Sequence, residues 1–515
     1  MSVFHSTISR REFMKVLGFA GAGTGAASLV APIFHDLDEV ISSESAGWKR
    51  AWWVKSVDEP TVEIDWGQVK RFDHRVSAHA SWANAQHWGK ERWNQAAKEG
   101  ETKAAALIGT KGYKLRDYAL AAGGGVYSSY RLTWNWDFTG SDKTATPESL
   151  NMPKWQGTPE ENVRIIRAAA KNYGAGQIGA AELSGHEKNL VYTYNRTGPL
   201  GSSTSDSWID KPWPPPPGYW RKIDFENVDV GYTESYEGVK DVRLVLPNKT
   251  LWDIGIMIPM ARESWSTSAD GITSTQLSSD ANGARYRMFH QSLLPSLQGF
   301  VRTLGYHSYG YAKKDGPGGL MPSEASAVLG GVSEMGRSSE ICINPEHGSV
   351  TGYYSMLTDL ELEPAKPIDA GIFRFCHTCR MCANTCPSQS ISHDSEPSWE
   401  IPNFDYKVPN MCSVPGKKLF WINITSCQAS RSYTNNCPQI CRAVCNFNTS
   451  SAAMAHELVR STISTTSIFN GFFWQMSKTF GYGTLDPEKW WEIAPDLPTW
   501  GTDSTLFTSA GAYKR

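Results

Sequence analysis

The sequence predicts a mixed α/β (α+β) fold with a small cysteine-rich domain towards its carboxyl end. Three observations support this prediction. A helix followed by a strand is predicted within residues 158–183, a buried strand is predicted at Leu251–Met260, and eight cysteines fall into two groups between Cys376 and Cys445. With 515 residues, the chain is long enough for two or three domains.

The amino terminus carries an export signal. Ser9–Lys15 reads "SRREFMK", a twin-arginine motif, and a glycine- and alanine-rich apolar run follows it. The alternative is a chance Arg-Arg pair before a short helix. We assign residues 1–34 to a signal peptide that is cleaved between about Ala27 and Phe34. No later stretch has the 18 or more apolar residues typical of a membrane span.

Residues 35–155 and residues 156–365 are expected to differ in regularity. The first region is rich in tryptophan and glycine and shows little periodicity, which predicts an irregular, aromatic-rich amino-terminal cap. The second region begins with a clear helix. Thr158 and Glu161 form a capping box, Pro159 suits the first helical position, and Gly174 ends the helix before a strand at Gln177–Leu183.

Two later segments complete the predicted core. The stretch "KPWPPPPGYW" (Lys211–Trp220) cannot pair inside a sheet, so it is either a surface linker or a docking site. Residues 288–311 are predicted to form a helix that is interrupted or kinked at Pro295. This succession of helices and strands favours an α/β core.

The cysteine spacing predicts two iron–sulfur clusters within residues 366–450. In "FCHTCRMCANTCPS", the pattern Cys-x2-Cys-x2-Cys-x3-Cys-Pro is that of bacterial two-cluster ferredoxins, in which the fourth cysteine ligates the other cluster. The second group, "CQASRSYTNNCPQICRAVC", is irregular except in its last interval. We therefore assign one [4Fe–4S] cluster to Cys376, Cys379, Cys382 and Cys445, and the second to Cys386, Cys427, Cys437 and Cys441.

The ten cysteines have two other interpretations, structural zinc and disulfides. Structural zinc rarely uses eight cysteines in this crossed pattern. Disulfides are expected in an exported protein, but the twin-arginine route exports proteins that have already folded with their cofactors. Cys412 competes with Cys427 as a ligand, whereas Cys342 is expected to be a small buried apolar residue.

The overall composition excludes several functional classes. The net charge of −2 and the pI near 6.6 give no electrostatic basis for nucleic-acid binding. The many aromatic residues, which include 21 Trp and 20 Tyr, fit either a large flat cofactor or an aromatic-rich core. The sequence has no phosphate-binding loop and no Asp-x-His-x-x-Gly motif, so a corrinoid would have to bind without a histidine ligand from the protein.

Together these features resemble the respiratory corrinoid-dependent reductive dehalogenases. The resemblance covers nearly the whole chain, and three further stretches resemble the chloroethene-reducing branch: "PKWQGTPEEN", "MLTDLELEPAKPIDAGIFRFC" and "TTSIFNGFFWQMSKTFGYG". The resemblance implies a nitroreductase-like core holding a base-off corrinoid, and a ferredoxin-like domain with two [4Fe–4S] clusters. It also implies that residues 451–515 pack back on the core and that the clusters supply electrons to produce Co(I), which removes halide from an organohalide.

The resemblance also suggests catalytic residues. A tyrosine donates the proton in this family, and its position falls on Tyr286 in "ARYRMF", although the interval is one residue longer here. The alternative is a tyrosine packed at the start of a helix. The family's basic partner falls on Gly352, which departs from the pattern. Candidate replacements for that cation are Lys313, Lys314 and Arg337.

The resemblance further implies a location and partners. The enzyme is expected at the outer face of the cytoplasmic membrane, attached through a small integral-membrane anchor subunit and supplied with electrons by a respiratory donor. Chlorinated ethenes are the expected substrates, and haloaromatics are the second choice. A tRNA-modifying corrinoid reductase and an exported iron–sulfur electron-transfer protein are the alternative functions.

Overall fold

The computed structural model describes thirteen segments of the chain. They are residues 50–77, 80–129, 138–140, 143–202, 206–268, 275–278, 292–310, 319–404, 406–407, 412–433, 440–448, 454–480 and 485–493. The predicted signal peptide, Tyr286, Lys313, Lys314 and Cys437 lie outside the described residues.

The described helices are distributed along the whole chain. They are α1 Ser81–Trp88, α2 Lys90–Leu107, α3 Leu115–Ser129, α4 Pro159–Asn172, α5 Arg262–Trp265, α6 292–303, α7 Ser323–Leu329, α8 Ile372–Thr378, α9 Met381–Thr385, α10 Ile424–Tyr433, α11 Ile440–Ala443, α12 Met454–Thr465, α13 Asn470–Phe480 and α14 Pro487–Ile493. In the part of the chain that the structure covers, no helix is both long and apolar enough to cross a membrane.

The strands are concentrated in the middle of the chain. They are β1 Lys55–Ser56, β2 Gln177–Leu183, β3 Tyr194–Asn195, β4 Thr197–Gly198, β5 Gly201–Ser202, β6 Arg221–Glu226, β7 Tyr232–Tyr236, β8 Val239–Pro247, β9 Leu251–Pro259, β10 Ser308–Tyr309, β11 Glu334–Met335, β12 Cys342–Ile343, β13 Thr351–Thr358 and β14 Ile368–Asp369.

A four-stranded antiparallel sheet of order β10-β13-β9-β2 forms the centre of the core. Successive side chains of a strand point to opposite faces. Ile254, Ile256 and Ile258 of β9 therefore share one face, where they pack with buried residues of α4 and α6. Ile166 and Ala170, four residues apart on one face of α4, are buried in this contact.

The opposite face of this sheet contacts helix α7 through very small residues. Gly179 of β2 pairs with Gly255 of β9. A Cβ atom on Gly179 would lie 1.9 Å from the carbonyl oxygen of Gly330, which directly follows α7. The Ser326 hydroxyl of α7 donates to the buried Asp253 carboxylate. Small residues thus allow the helix backbone to approach the sheet closely.

A second sheet of order β3-β6-β8-β7 extends the core. Strands β6 and β8 are parallel, whereas β7 and β8 are antiparallel. Arg243 of β8 donates to Asp224 at 2.6 Å and to Glu234 at 2.9 Å, so one guanidinium connects three strands.

Several sequence expectations agree with the described structure. Both hydrogen bonds of the capping box at Thr158 and Glu161 are present, at 3.3 and 2.9 Å. Strand β2 has the predicted bounds, and β9 ends one residue earlier than predicted. Helix α6 runs through Pro295 without a break over residues 292–303, so the predicted interruption is absent there, and the alternative of a kink stays a prediction.

The amino-terminal region is more regular than the sequence indicated. Residues 81–129 form three helices. Helix α2 buries Trp93, Ala96, Gly100 and Ala104, which are mostly small residues at helical spacing. Such a stripe is inconspicuous because Ala and Gly contribute little hydrophobic signal. This stripe packs against Ala429 of helix α10, which also carries Cys427.

The carboxyl-terminal helices contact both the cysteine-rich segments and the core. Ile463 of α12 and Phe473 of α13 pack in the apolar cluster that contains Cys376. Leu485, further along, exchanges main-chain hydrogen bonds with Ser266 and Ser268 of the core.

Candidate functional site

A cavity between the core and the cysteine-rich segments contains five of the predicted ligands. Its lining includes Cys376, Cys379, Cys382, Cys441 and Cys445. The core side is contributed by Gly336, Arg337, Ser338, Ile341, Ile343 and Ser349, and the remaining lining residues are Phe375, Met381, Asn446 and Phe447. Cysteines 59 to 69 residues apart in sequence are thus brought together against one edge of the core.

Short helices place these cysteines. Cys376 lies in α8, Cys382 lies in α9, and Cys379 lies in the connection between them. Helix α9 packs against α11, which contains Cys441 and precedes Cys445. Because each helix ends after one or two turns, the thiols can point into the cavity from different directions.

Thiolates in this cavity would need a positively charged group that they bind in common. Burial raises the pKa of Cys376, and Cys379 and Cys445 raise it further. Burial also raises the pKa of Cys382 well above its usual value, with four other cysteines adding to the effect. Free thiolates are therefore disfavoured in this cavity, whereas bound iron would neutralise their mutual repulsion.

Hydrogen-bond donors also face the predicted first cluster. The Asn446 amide donates to Cys379 Sγ at 3.2 Å. Hydrogen bonds to cluster sulfurs are one of the means by which proteins set the reduction potential. The described residues contain no group of three ligating side chains that could hold a single metal ion. Five of the predicted ligands line the cavity described above.

The second predicted ligand set is covered only in part. Cys386 Sγ accepts a hydrogen bond from the Ser390 N–H at 3.4 Å and packs near Cys382 and Cys441. Cys427 lies on α10. Since Cys437 lies outside the described residues, the composition of this set stays a prediction.

The competing Cys412 has polar neighbours in the amino-terminal region. Its thiol donates to the Val76 carbonyl at 3.1 Å and lies 3.8 Å from His87 Nδ1. Burial raises the pKa of Cys412 to about 12 and lowers that of His87 to about 4. Cys342 is fully buried, with its thiol 3.5 Å from the Glu324 carbonyl.

Arg337 lies beside the cysteines. Its Nε donates to the carbonyl oxygens of Cys376 and Cys379, both at 2.9 Å. The sequence suggested Arg337 only as a cation near the proton donor, whereas the structure shows it holding the cysteine segment. These contacts join residues about 40 positions apart, and no local sequence motif predicts them.

Gly352, the expected position of the basic partner, is buried on β13 and pairs with Ile258. Arg442, which the sequence analysis did not single out, donates through Nη1 to the carbonyl oxygens of Ser349 and Thr351, both at 2.8 Å. A guanidinium from the second cysteine segment therefore lies beside this position.

Comparison with known proteins identifies relatives over nearly the whole chain. A sequence model of the reductive dehalogenase subunit family matches residues 49–362. The chain is 30% identical to the chloroethene reductive dehalogenase of Dehalococcoides mccartyi strain VS, over 98% of this chain and 99% of the relative. It is 31% identical to the trichloroethene reductive dehalogenase of D. mccartyi strain 195, with the same coverage.

Solved structures show the same fold. The catabolic reductive dehalogenase NpRdhA in complex with 3-bromo-4-hydroxybenzoic acid matches with a TM-score of 0.54 at 15% identity, over 83% of this chain and 48% of that one. A reductive dehalogenase structure that suggests a mechanism for B12-dependent dehalogenation matches with a TM-score of 0.53 at 14% identity, over 83% and 49%. The chain spans about half the length of these solved chains.

The predictions of family and of enzyme class are thereby confirmed. A family match over more than half of the chain agrees with relatives at 30% identity along its whole length. The mixed α/β core also agrees with the fold of the solved relatives. The chain belongs to the reductive dehalogenase family of oxidoreductases.

Proposed function

We propose that the chain is an exported reductive dehalogenase that removes chloride from chlorinated ethenes as the terminal reductase of organohalide respiration. The substrate class rests on the two relatives named for chloroethene and trichloroethene reduction. The proposed reaction uses two electrons and one proton to replace a carbon–chlorine bond by a carbon–hydrogen bond, with release of chloride.

The observation that carries this proposal is the cysteine-lined cavity at the edge of the core. We assign it to a [4Fe–4S] cluster held by Cys376, Cys379, Cys382 and Cys445, within a ferredoxin-like domain. A second cluster would use Cys386, Cys427, Cys437 and Cys441. Because six core residues between Gly336 and Ser349 line the same cavity, electrons leaving the first cluster would enter the core directly.

A base-off corrinoid in the core would supply the strongly reducing metal that acts on the carbon–halogen bond. Tyr353, next to Gly352, is buried on β13, and its hydroxyl contacts Ser333 at 2.6 Å and Thr351 at 2.8 Å. Tyr286 is the proposed proton donor. Arg442 is the described cation beside position 352 and would favour a nearby anion.

The proposed location is the outer face of the cytoplasmic membrane. The twin-arginine motif at Arg10 and Arg11 supports export. Attachment through a small integral-membrane anchor subunit, and electron supply by a respiratory donor, follow from the family resemblance.

The test is anaerobic reconstitution of the purified protein with iron, sulfide and a corrinoid, followed by a panel of organohalides. We expect a corrinoid absorbance band in addition to the broad cluster shoulder, and chloride release from chlorinated ethenes. Chloride release from haloaromatics alone would refute the substrate class. A fully loaded protein that releases no halide from any compound would refute the function.

A further inference from the structure

A short segment of the core contacts both ends of the helix that carries the first cluster cysteine. Glu334 lies in β11, and Arg337 follows three residues later. Both side chains are buried, each with 1% of its surface exposed. Helix α8, which contains Cys376, lies between their two charged groups.

Glu334 occupies the amino-terminal end of α8. Its carboxylate accepts hydrogen bonds from the N–H groups of Ala370 at 2.8 Å and Ile372 at 3.1 Å, and from the Thr61 hydroxyl at 3.0 Å. The first N–H groups of a helix have no partner within the helix and carry partial positive charge. A buried carboxylate at this point therefore stabilises the start of α8.

Arg337 occupies the other end of the same helix. Its guanidinium donates to the carbonyl oxygens of Cys376 and Cys379, as described above, and also to His377 at 3.3 Å. Nη1 donates to the carbonyl oxygens of Ser392 and Asp394, both at 2.8 Å. The guanidinium also stacks on Phe420, with its carbon 4.0 Å from the ring centroid.

These contacts hold the guanidinium of Arg337 in place but do not neutralise its positive charge. Its acceptors are main-chain oxygens, which satisfy the donors but carry no full negative charge. Arg337 also lines the cysteine cavity itself. A guanidinium stays protonated in proteins, so a permanent positive charge faces the predicted cluster.

We propose that Glu334 and Arg337 form a clamp that seats the cluster-bearing helix on the core, and that the charge of Arg337 raises the reduction potential of the adjacent cluster. This inference rests on the proposed function, because it requires that Cys376, Cys379, Cys382 and Cys445 hold a cluster. Arg337 acts through the cluster as a positioning residue.

The expected sign follows from Coulomb's law. Reduction adds one negative charge to the cluster, and a nearby buried cation stabilises the reduced form. Removing the cation should therefore make the potential more negative. We expect the ratio of reduced to oxidised cluster at a fixed potential to fall about tenfold, which is about 59 mV for one electron.

The experiment is a redox titration followed by electron paramagnetic resonance on the reconstituted full chain, with iron content measured in parallel. Arg337→Gln removes the charge, whereas Arg337→Lys keeps it and loses the planar fork of donors. Glu334→Gln is the matched control, because it loosens the other end of the same helix and removes a carboxylate and not a cation, so any shift that it causes in the potential should be positive.

We expect a negative shift in one of the two cluster signals in Arg337→Gln only. In Arg337→Lys we expect a lower iron content and wild-type potentials. In Glu334→Gln we expect a lower iron content and a potential that is unshifted or more positive. Unshifted signals in Arg337→Gln, or equal shifts of both clusters, would overturn the inference. If Arg337→Gln retains no iron, its cluster potential cannot be measured, and Arg337→Lys becomes the test. A shifted potential in Arg337→Lys, which keeps the positive charge, would then overturn the inference. A wild-type protein without clusters would instead refute the proposed function.

Discussion

Replacing Gly179 by alanine should separate helix α7 from the central sheet. The added Cβ would lie 1.9 Å from the carbonyl oxygen of Gly330, and 2.6 and 2.8 Å from two further backbone atoms of that residue. Ordinary contacts begin at 3.4 Å, so the end of α7 must move by about 1.5 Å. A backbone cannot rotate out of the way as a flexible side chain can.

The cost should exceed the gain from burying a methyl group. One buried carbon contributes about 0.8 kcal/mol, whereas inserting atoms into a packed core costs about 1–3 kcal/mol or more. We expect the free energy of unfolding to fall by about 2–3 kcal/mol. Because Gly330 is only four residues before Glu334, the iron content should fall as well.

The assay is urea-induced unfolding under anaerobic conditions, with iron per chain measured on the same preparation. Gly123→Ala is the matched control, because Gly123 lies exposed on α3 and a Cβ there meets nothing within 4 Å. That variant should be unchanged or stabilised by up to about 1 kcal/mol. Wild-type stability and iron content in Gly179→Ala would refute the reasoning.

Four further changes test other parts of the account. Cys382→Ser should lower iron from about eight to about four per chain and weaken folding, and full activity with four irons would contradict the two-cluster assignment. Exchange of Arg10 and Arg11 for Lys should leave the protein in the cytoplasm, as fractionation would show, whereas normal export would mean that the signal is misassigned. Tyr286→Phe should reduce turnover by roughly 10²-fold or more while corrinoid content is unchanged, and a wild-type rate would exclude Tyr286 as the donor. Burial raises the pKa of Asp253 to about 7, so the folded state binds an extra proton between about pH 4 and 7 and stability falls as pH rises through this window. Across this window the free energy of unfolding should fall by up to about 4 kcal/mol, and Asp253→Asn should remove that fall. The measurement is the urea midpoint of both proteins at the two ends of the window, and an equal change in wild type and variant would contradict the prediction.

Local signals in the sequence predicted the elements that depend on neighbouring residues. The capping box and Pro159 specify the start of α4, and the apolar run specifies β9. The cysteine spacing predicted that distant thiols would meet, and five thiols line one cavity. Four of them belong to the first predicted set and Cys441 to the second, so the division into two sets stays a prediction. In each case the information lies within a few residues or in a recognisable spacing.

Long-range packing accounts for what the sequence did not predict. Helix α2 buries a stripe of Ala and Gly, so its periodicity carries little hydrophobic contrast. The clamp of Glu334 and Arg337 joins residues that are 36 to 57 positions apart. These buried charges give no signal in the sequence, because most of their partners are main-chain atoms that every residue possesses.

The most direct test of the proposed reductive dehalogenation is the ratio of chloride released to electrons consumed. The measurement uses the reconstituted protein, a chlorinated ethene and a low-potential artificial electron donor under anaerobic conditions. We expect one chloride for every two electrons, and no chloride when the corrinoid is omitted. Electron consumption without chloride release by the fully loaded protein would contradict it.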